Sequence, residues 1–343
     1  MKHHLFTPLK GGWGGLLLLV TVPCAFAQGS TLSTLYVETR LSSQSRDIND
    51  ARDHDASGFK GEYLNVRLDG QIAPHWTFSY RQRLNRIPDR TFFDATDWIH
   101  VDWQASSRLA LSMGKEVVSI GGYEYDRAPI DLYTCSEFWG NIPCYQLGAS
   151  LHYNLTPSDQ LHLQFCNSPF RATAGNDTYA LNLLWSGTHG PWQTLWSTNM
   201  LEYAPGHWIN YLALGNRVTL SRHLSLDLDL MNRATTAHPF LLRDCSLMAE
   251  LNLRPNMQWR LYGKYTYDVN RSGSAADLCV LDGTEMHGAS CGVEYHPLSA
   301  HPDAMRFFFD MSHAWGRNAN EQPFLRDQST RCTLGFRLRI HCL

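Results

Sequence analysis

The chain is written in short apolar and polar alternations. Leu224, Leu226, Leu228 and Leu230 alternate with Ser225, Asp227, Asp229 and Met231, so one face of an extended segment is leucine and the other carries two aspartates. Leu334, Phe336, Leu338 and Ile340 alternate in the same way with Thr333, Gly335, Arg337, Arg339 and His341. Met257, Trp259, Leu261, Tyr265 and Tyr267 alternate with Gln258, Arg260, Lys264, Thr266 and Asp268. A period of two residues is the signature of strands with two different faces. A soluble sandwich seldom keeps charges on one face of strands this long, whereas a barrel with lipid outside and water inside does so throughout.

Segments of this kind run over 31–41, 61–72, 75–84, 94–103, 108–117, 145–154, 160–166, 178–186, 193–203, 208–218, 224–232, 245–253, 257–268, 285–295, 305–315 and 331–342. They predict an all-β, transmembrane antiparallel barrel of about sixteen strands, an even number as single-chain outer-membrane barrels have. Connections from even to odd strands are short and polar, such as Ala73-Pro74 and Ser221 to His223. Those from odd to even strands are mostly long: 42–60, 85–93, 119–144, 167–177, 233–244, 269–284 and 316–330, with only 204–206 breaking the rule. Barrels segregate loop length in this way, with turns in the periplasm and loops outside. Trp98, Trp103, Tyr145, Tyr153, Trp185, Trp192, Trp208, Tyr267, Tyr295 and Trp315 fall near strand ends, where aromatic girdles form.

The first residues predict export. Lys2, His3, His4 and Lys10 precede an apolar run from Trp13 to Val22 and the small-x-small site Ala25-Phe26-Ala27, so 1–27 read as a signal peptide and 28–343 as the barrel domain. The apolar run is short for a membrane helix, and Thr21-Val22-Pro23 before Cys24 makes a poor lipobox. The expected location is the outer membrane of a Gram-negative bacterium. The full chain has a formal net charge of −3 and loses two lysines with the leader, which argues against a nucleic-acid binder. Lys60, Lys115 and Lys264 are its remaining lysines, and arginine, suited to carboxylate and phosphate, carries the rest of the positive charge. The cysteines beyond the leader are even in number but scattered, and only Cys135 and Cys144 read as a plausible disulfide.

The longest aromatic connection, GGYEYDRAPIDLYTCSEFWGNIPC, falls between the fifth and sixth strands and is the third external loop. Its length and ring content call for a function. Tyr123, Tyr125, Tyr133, Phe138 and Trp139 need an apolar surface to pack on, which the barrel wall supplies. Residues 118–143 are therefore expected to fold inward and narrow the channel, with Tyr123, Glu124, Tyr125, Asp126, Arg127, Asp131 and Glu137 as constriction residues. Strand parity assigns Arg40, Arg67, Arg81, Arg83, Arg108, Glu116, Arg260, Arg337 and Arg339 to the pore wall, joined by Glu38, Asp69, Asp102, Asp227, Asp229, Glu250 and Asp310. Two roles follow for them. A basic wall opposite an acidic loop would set up a transverse field that selects solutes, or arginine–carboxylate pairs would brace the loop on the wall.

The stretches GKEVVSIGGYEYDRAPIDLY, SEFWGNIPCYQLGAS and LHLQFCNSPF resemble outer-membrane porins of the phosphate-selective porin O and P superfamily, in the branch found in Bacteroidota, over about 114–170. The resemblance implies a sixteen-stranded, trimeric porin passing small hydrophilic solutes or ions by passive diffusion. Its partners would be outer-membrane lipid and, during insertion, the barrel-assembly machinery, which a last strand of the form Thr333-x-Gly335-x-x-Leu338-x-Ile340 would address. The loop is net acidic and lacks the lysine-rich character of the namesake channels, so a phosphate- or anion-selective porin with a saturable site is carried as an alternative. A barrel enzyme is a second alternative, for which His287 with Ser290, or Ser312 with His313, lack the parity of a side-by-side dyad. No cofactor motif or metal-ligand cluster is read, and the histidines are scattered.

Overall fold

The computed structural model describes residues 30–343 except 90 and 240. The expected signal peptide lies outside these residues. The described residues form one antiparallel sheet: β1 (Thr31–Ile48), β2 (Gly58–Ala73), β3 (Trp76–Arg83), β4 (Thr96–Gln104), β5 (Leu109–Val117), β6 (Tyr145–Asn154), β7 (Asp159–Asn167) and β8 (Tyr179–His189). It continues through β9 (Trp192–Ala204), β10 (His207–Ser221), β11 (Leu224–Ala234), β12 (Asp244–Leu253), β13 (Trp259–Asn270), β14 (Glu285–Tyr295), β15 (Met305–Arg317) and β16 (Ser329–His341). A further two-residue strand, Ala51–Arg52, pairs with β1.

Each strand pairs with the next, and β16 returns to β1 in a continuous register from Tyr36 opposite His341 to Ile48 opposite Ser329. The sheet is thus a closed sixteen-strand barrel without a free edge, which satisfies the strand backbone inside hydrocarbon. Alternation separates its two faces. On β13, Arg260, Tyr262, Lys264, Thr266 and Asp268 are buried, while Trp259, Leu261 and Tyr265 are exposed. On β15, Phe307, Phe309 and Met311 are exposed and Arg306, Phe308 and Asp310 are buried. In a soluble domain the apolar set would be the hidden one. Here the polar set is.

The outer aromatics gather at strand ends, as a girdle requires. Trp76 stacks on Trp103 with ring centroids 5.9 Å apart, and Trp259 meets Tyr295 at 4.7 Å, both at the turn end. At the loop end His287 stacks on Trp315 at 5.2 Å. Short and long connections alternate as expected, including the short one between β9 and β10.

Three expectations need correction. The connection expected over 42–60 is mostly strand, because β1 continues to Ile48 and β2 begins at Gly58. At 18 residues β1 exceeds the ~9–11 of a spanning strand, so the surplus rises beyond the bilayer, where no apolar face is needed and the alternation disappears. Several expected strand ends belong to turns: His75 adopts φ 66°, and Asp94, Arg108 and Met257 precede their strands. Cys135 and Cys144 are both free thiols. Lys264 and Arg331 pin Thr134 against the wall beside Cys135, whereas Cys144 leads directly into β6.

Candidate pore constriction

Residues 118–144 fold into three short turns of helix: α1 (Tyr123–Asp126), a 3-10 turn (Pro129–Asp131) and α2 (Glu137–Asn141). Their polar contacts go to the buried polar face of the wall. The segment leaves β5 over an uncharged clamp. The Ser119 amide donates to Gln164 Oε1 at 2.8 Å, Asn199 donates to the Ser119 carbonyl at 2.8 Å, and the Gly121 amide donates to Ser197 Oγ at 2.8 Å. Asn199 and Asn182 join these groups in one amide chain across β7, β8 and β9.

Glycines let the backbone lie flat here. Gly122 has φ 102°, and a Cβ on Gly215 would sit 2.7 Å from Gly122 Cα. Any side chain at Gly215 would lift the segment off β10. At the next step the Tyr123 and Glu124 amides donate to the Asp229 carboxylate at 2.9 and 2.7 Å, where a helix start has unpaired amides to offer. Asp268 does the same for α2, accepting from the Glu137 amide at 2.8 Å, and Ser136 caps that helix by accepting from the Trp139 amide.

Charge holds the far side. Arg127 reaches Glu250 at 2.7 Å and Asp227 at 3.5 Å. Arg306, Arg337 and Arg40 stand side by side on one transverse row of β15, β16 and β1. Three like charges abreast would repel, and wall carboxylates and the segment offset them together: Glu62 pairs with Arg40, Glu38 lies 3.4 Å from Arg337 and Glu294 3.8 Å from Arg306. Asp131 pairs with Arg306 and lies 3.4 Å from Arg337, and Arg40 donates to the Ile130 and Leu132 carbonyls at 2.9 and 2.8 Å. Burial pushes the Asp131 carboxyl upward, but Arg306, Arg337 and Arg339 outweigh it and hold the group below the ordinary carboxylate range. Lys264 pairs with Glu124 and donates to the Thr134 carbonyl at 2.8 Å, while Thr134 donates to Asp310 at 2.9 Å.

The rings pack as their composition requires. Tyr125, Phe138 and Ile142 join Leu201, Ile209, Tyr211, Ala213 and Met231, which interrupt the polar face of β9–β11 with an apolar patch. Tyr133 stacks on Phe308 with centroids 4.1 Å apart.

The structure therefore brings most sequence-selected residues together, in altered surroundings. Tyr125 and Glu137 do not face open space: Tyr125 is in the apolar cluster, and Glu137 accepts the Leu325 and Phe324 amides of the last external loop at 2.6 and 3.2 Å. Asp126 is exposed, and with Tyr123 and Arg108 it borders a cavity of about 760 Å³. Apart from Arg108, the wall arginines are paired along the wall itself. Arg81 lies 3.3 Å from Glu38 and 3.4 Å from Asp97, Arg83 3.0 Å from Asp97, Arg67 2.8 Å from Asp69, and Arg339 3.2 Å from Glu38. Arg260 bridges Glu250 and Glu294 at 2.8 Å each, and Glu116 accepts from Ser150 at 2.8 Å. Bracing is what these contacts do. Arg306, Lys264, Arg331, Asp268 and Glu294 escaped the wall assignment, although strand parity alone would have placed them on the polar face.

Residues 35–200 match the family described as phosphate-selective porin O and P. Among solved structures, the chain is similar to an anion-selective porin from Comamonas acidovorans, with a TM-score of 0.61 at 10% identity, covering 91% of this chain and 100% of that one. It is similar to the outer-membrane expressed OmpT of Vibrio cholerae, with a TM-score of 0.60 at 11% identity, covering 92% and 99%. It is also similar to a trimer form of in-vitro folded OmpT from that organism, with a TM-score of 0.59 at 11% identity, covering 91% and 100%. A comparison with curated protein sequences finds no match. At these identities the structural likeness is one of fold: a porin-type barrel.

Proposed function

We propose that this protein is an outer-membrane porin, a water-filled channel for passive diffusion of small hydrophilic solutes and ions. The observation that carries the reading is the inversion of faces in a closed barrel. Leucines and aromatic rings cover the outside, and a polar wall within bears a long segment tied to it by Asp229, Asp268, Glu250 and the Arg40–Arg337–Arg306 row. A polar lumen with an ordered constriction is what a porin needs, and a structural barrel does not.

In this reading the 118–143 loop folds into the lumen and sets the size limit, with Asp126 exposed and Arg127 and Asp131 partly exposed at its surface. Residues 1–27 direct export and are removed, and 28–343 insert into the outer membrane as a homotrimer with help from the barrel-assembly machinery. The trimer form of one structural relative supports that assembly. The channel works by diffusion, without catalysis. The family match and the anion-selective relative favour a second reading, a phosphate or anion channel with a saturable site.

Single-channel recording of refolded protein in a planar bilayer under a salt gradient separates these. A stable ohmic pore with weak ionic preference is expected. Strong anion preference with saturable block by phosphate would establish the second reading instead, and absence of conductance from folded barrels would point to a closed barrel or an enzyme.

A further inference from the structure

Charge is distributed unevenly around the wall. From Tyr145 to Ala204, covering β6–β9, the only Asp, Glu, Lys or Arg residues are Asp159, Arg171, Asp177 and Glu202. Asp159 lies at the turn end of β7, Arg171 and Asp177 lie in the connection between β7 and β8, and Glu202 is near the loop end of β9, where it accepts from the Tyr179 and Gly206 amides. Between those limits the polar face is built of amides, hydroxyls and two histidines.

The 760 Å³ cavity opens against the turn-side half of this arc, bounded opposite by Tyr123 and Asp126 of the loop. Its volume lies within the range of about 300–1,000 Å³ typical of small-molecule sites. Its lining is mainly neutral, with Asn154, Gln160 and Gln193 contributing amides and Ser186 and Thr188 hydroxyls. Three charges border it and do not sum to an anion field. Arg108 and Asp126 are opposite in sign and unpaired among the described residues, and Asp159 is occupied by Thr156, Trp185 and His189.

We propose that this cavity is a subsite for uncharged polyhydroxylated solutes of the saccharide class. The inference rests on the channel reading and deepens it by naming the solute. An anion entering here would exchange its hydration shell for a wall with a single unpaired cation, which is an unfavourable exchange. A sugar would exchange water hydrogen bonds for amide and hydroxyl bonds of similar strength, a nearly neutral exchange that permits both entry and exit. Tyr123 borders the cavity from the loop, with Arg217 over its ring at 4.2 Å from the centroid.

The test is single-channel recording in potassium chloride with maltotriose added, compared with potassium phosphate at matched ionic strength. Maltotriose is expected to reduce the current saturably and phosphate to leave it unchanged. In Gln193→Ala and Gln160→Ala the half-blocking maltotriose concentration should rise several-fold. A current that falls only as viscosity predicts, or that phosphate blocks saturably while maltotriose does not, overturns the subsite and leaves the channel standing. Folded barrels that pass neither current nor sugar into liposomes would instead remove the channel reading, and the subsite with it.

Discussion

The wall has two arcs of opposite character. From β10 through β16 to β4 it is dense in charge, and nearly every charge is engaged: Arg217 with Asp227, Arg260 with Glu250 and Glu294, Arg81 with Glu38 and Asp97. From β6 to β9 it is almost neutral, and its amides do the holding, as Gln164, Asn182 and Asn199 show at the root of the 118–144 segment. The difference teaches that charge in this barrel is used chiefly as structure. Ion pairs at low dielectric fix the segment only if each member is satisfied, and the arginine row shows this, since strands and segment complete one another there. A neutral wall carries no such obligation and can exchange partners with water or solute.

The largest effect should come from breaking a shared charge. Glu250 pairs with both Arg127 and Arg260, so Glu250→Gln leaves the buried Arg260 and the partly buried Arg127 each short of a partner. A loss of about 3–5 kcal/mol is expected for such a cut, read as a lowered heat-modification temperature of the barrel together with larger, noisier single-channel currents. Unchanged current would disprove the bracing role of the charged arc.

Asp131→Asn should act next, by uncovering the Arg40–Arg337–Arg306 row. Because the folded Asp131 carboxyl titrates below its unfolded value, its contribution is complete above the unfolded pKa and is lost only as pH falls through the folded one. Current noise in the unaltered protein should therefore stay flat from neutral pH through the ordinary carboxylate range and rise in stronger acid. In Asp131→Asn it should be high at neutral pH, and an onset of noise above the ordinary range would show that another group controls it.

The neutral arc should answer more mildly. Asn199→Ala removes the donor to the Ser119 carbonyl and to Asn182, a cost of about 1–3 kcal/mol if the carbonyl is left unpaired. A stability loss without a change of ion preference is expected, measured by thermal unfolding and reversal potential on the same preparation. Smallest of all, Arg271→Ala removes an exposed pair with Glu285 at the loop end and should change neither measurement.

Much of this architecture was legible in the chain. The segments 145–154 and 285–295 match the observed strands in full, because alternation there runs to the turn on both sides. The rise of β1 beyond the membrane was hidden, since a strand with water on both faces has no period to read. Neutrality of the 145–204 arc was visible as composition, but its meaning depended on the segment opposite.

The candidate site was legible by parity and illegible by partner. Parity assigned Arg40, Arg81, Arg260 and Arg337 to the polar face, and these side chains are buried, as are Arg306 and Lys264, which it could have added. It could not show that Glu137 would be spent on the Leu325 amide, or that Cys135 and Cys144 would be left as thiols. By itself the sequence determined the strands, their faces, the alternation of short and long connections and the presence of one aromatic segment, because those follow from local periodicity and solvent preference. Only the tertiary structure decided which charges meet, where the segment lies and which wall stays neutral beside open space. Those depend on closure of β16 onto β1 and on contacts between residues more than a hundred positions apart, such as Arg127 and Glu250 or Asp131 and Arg306.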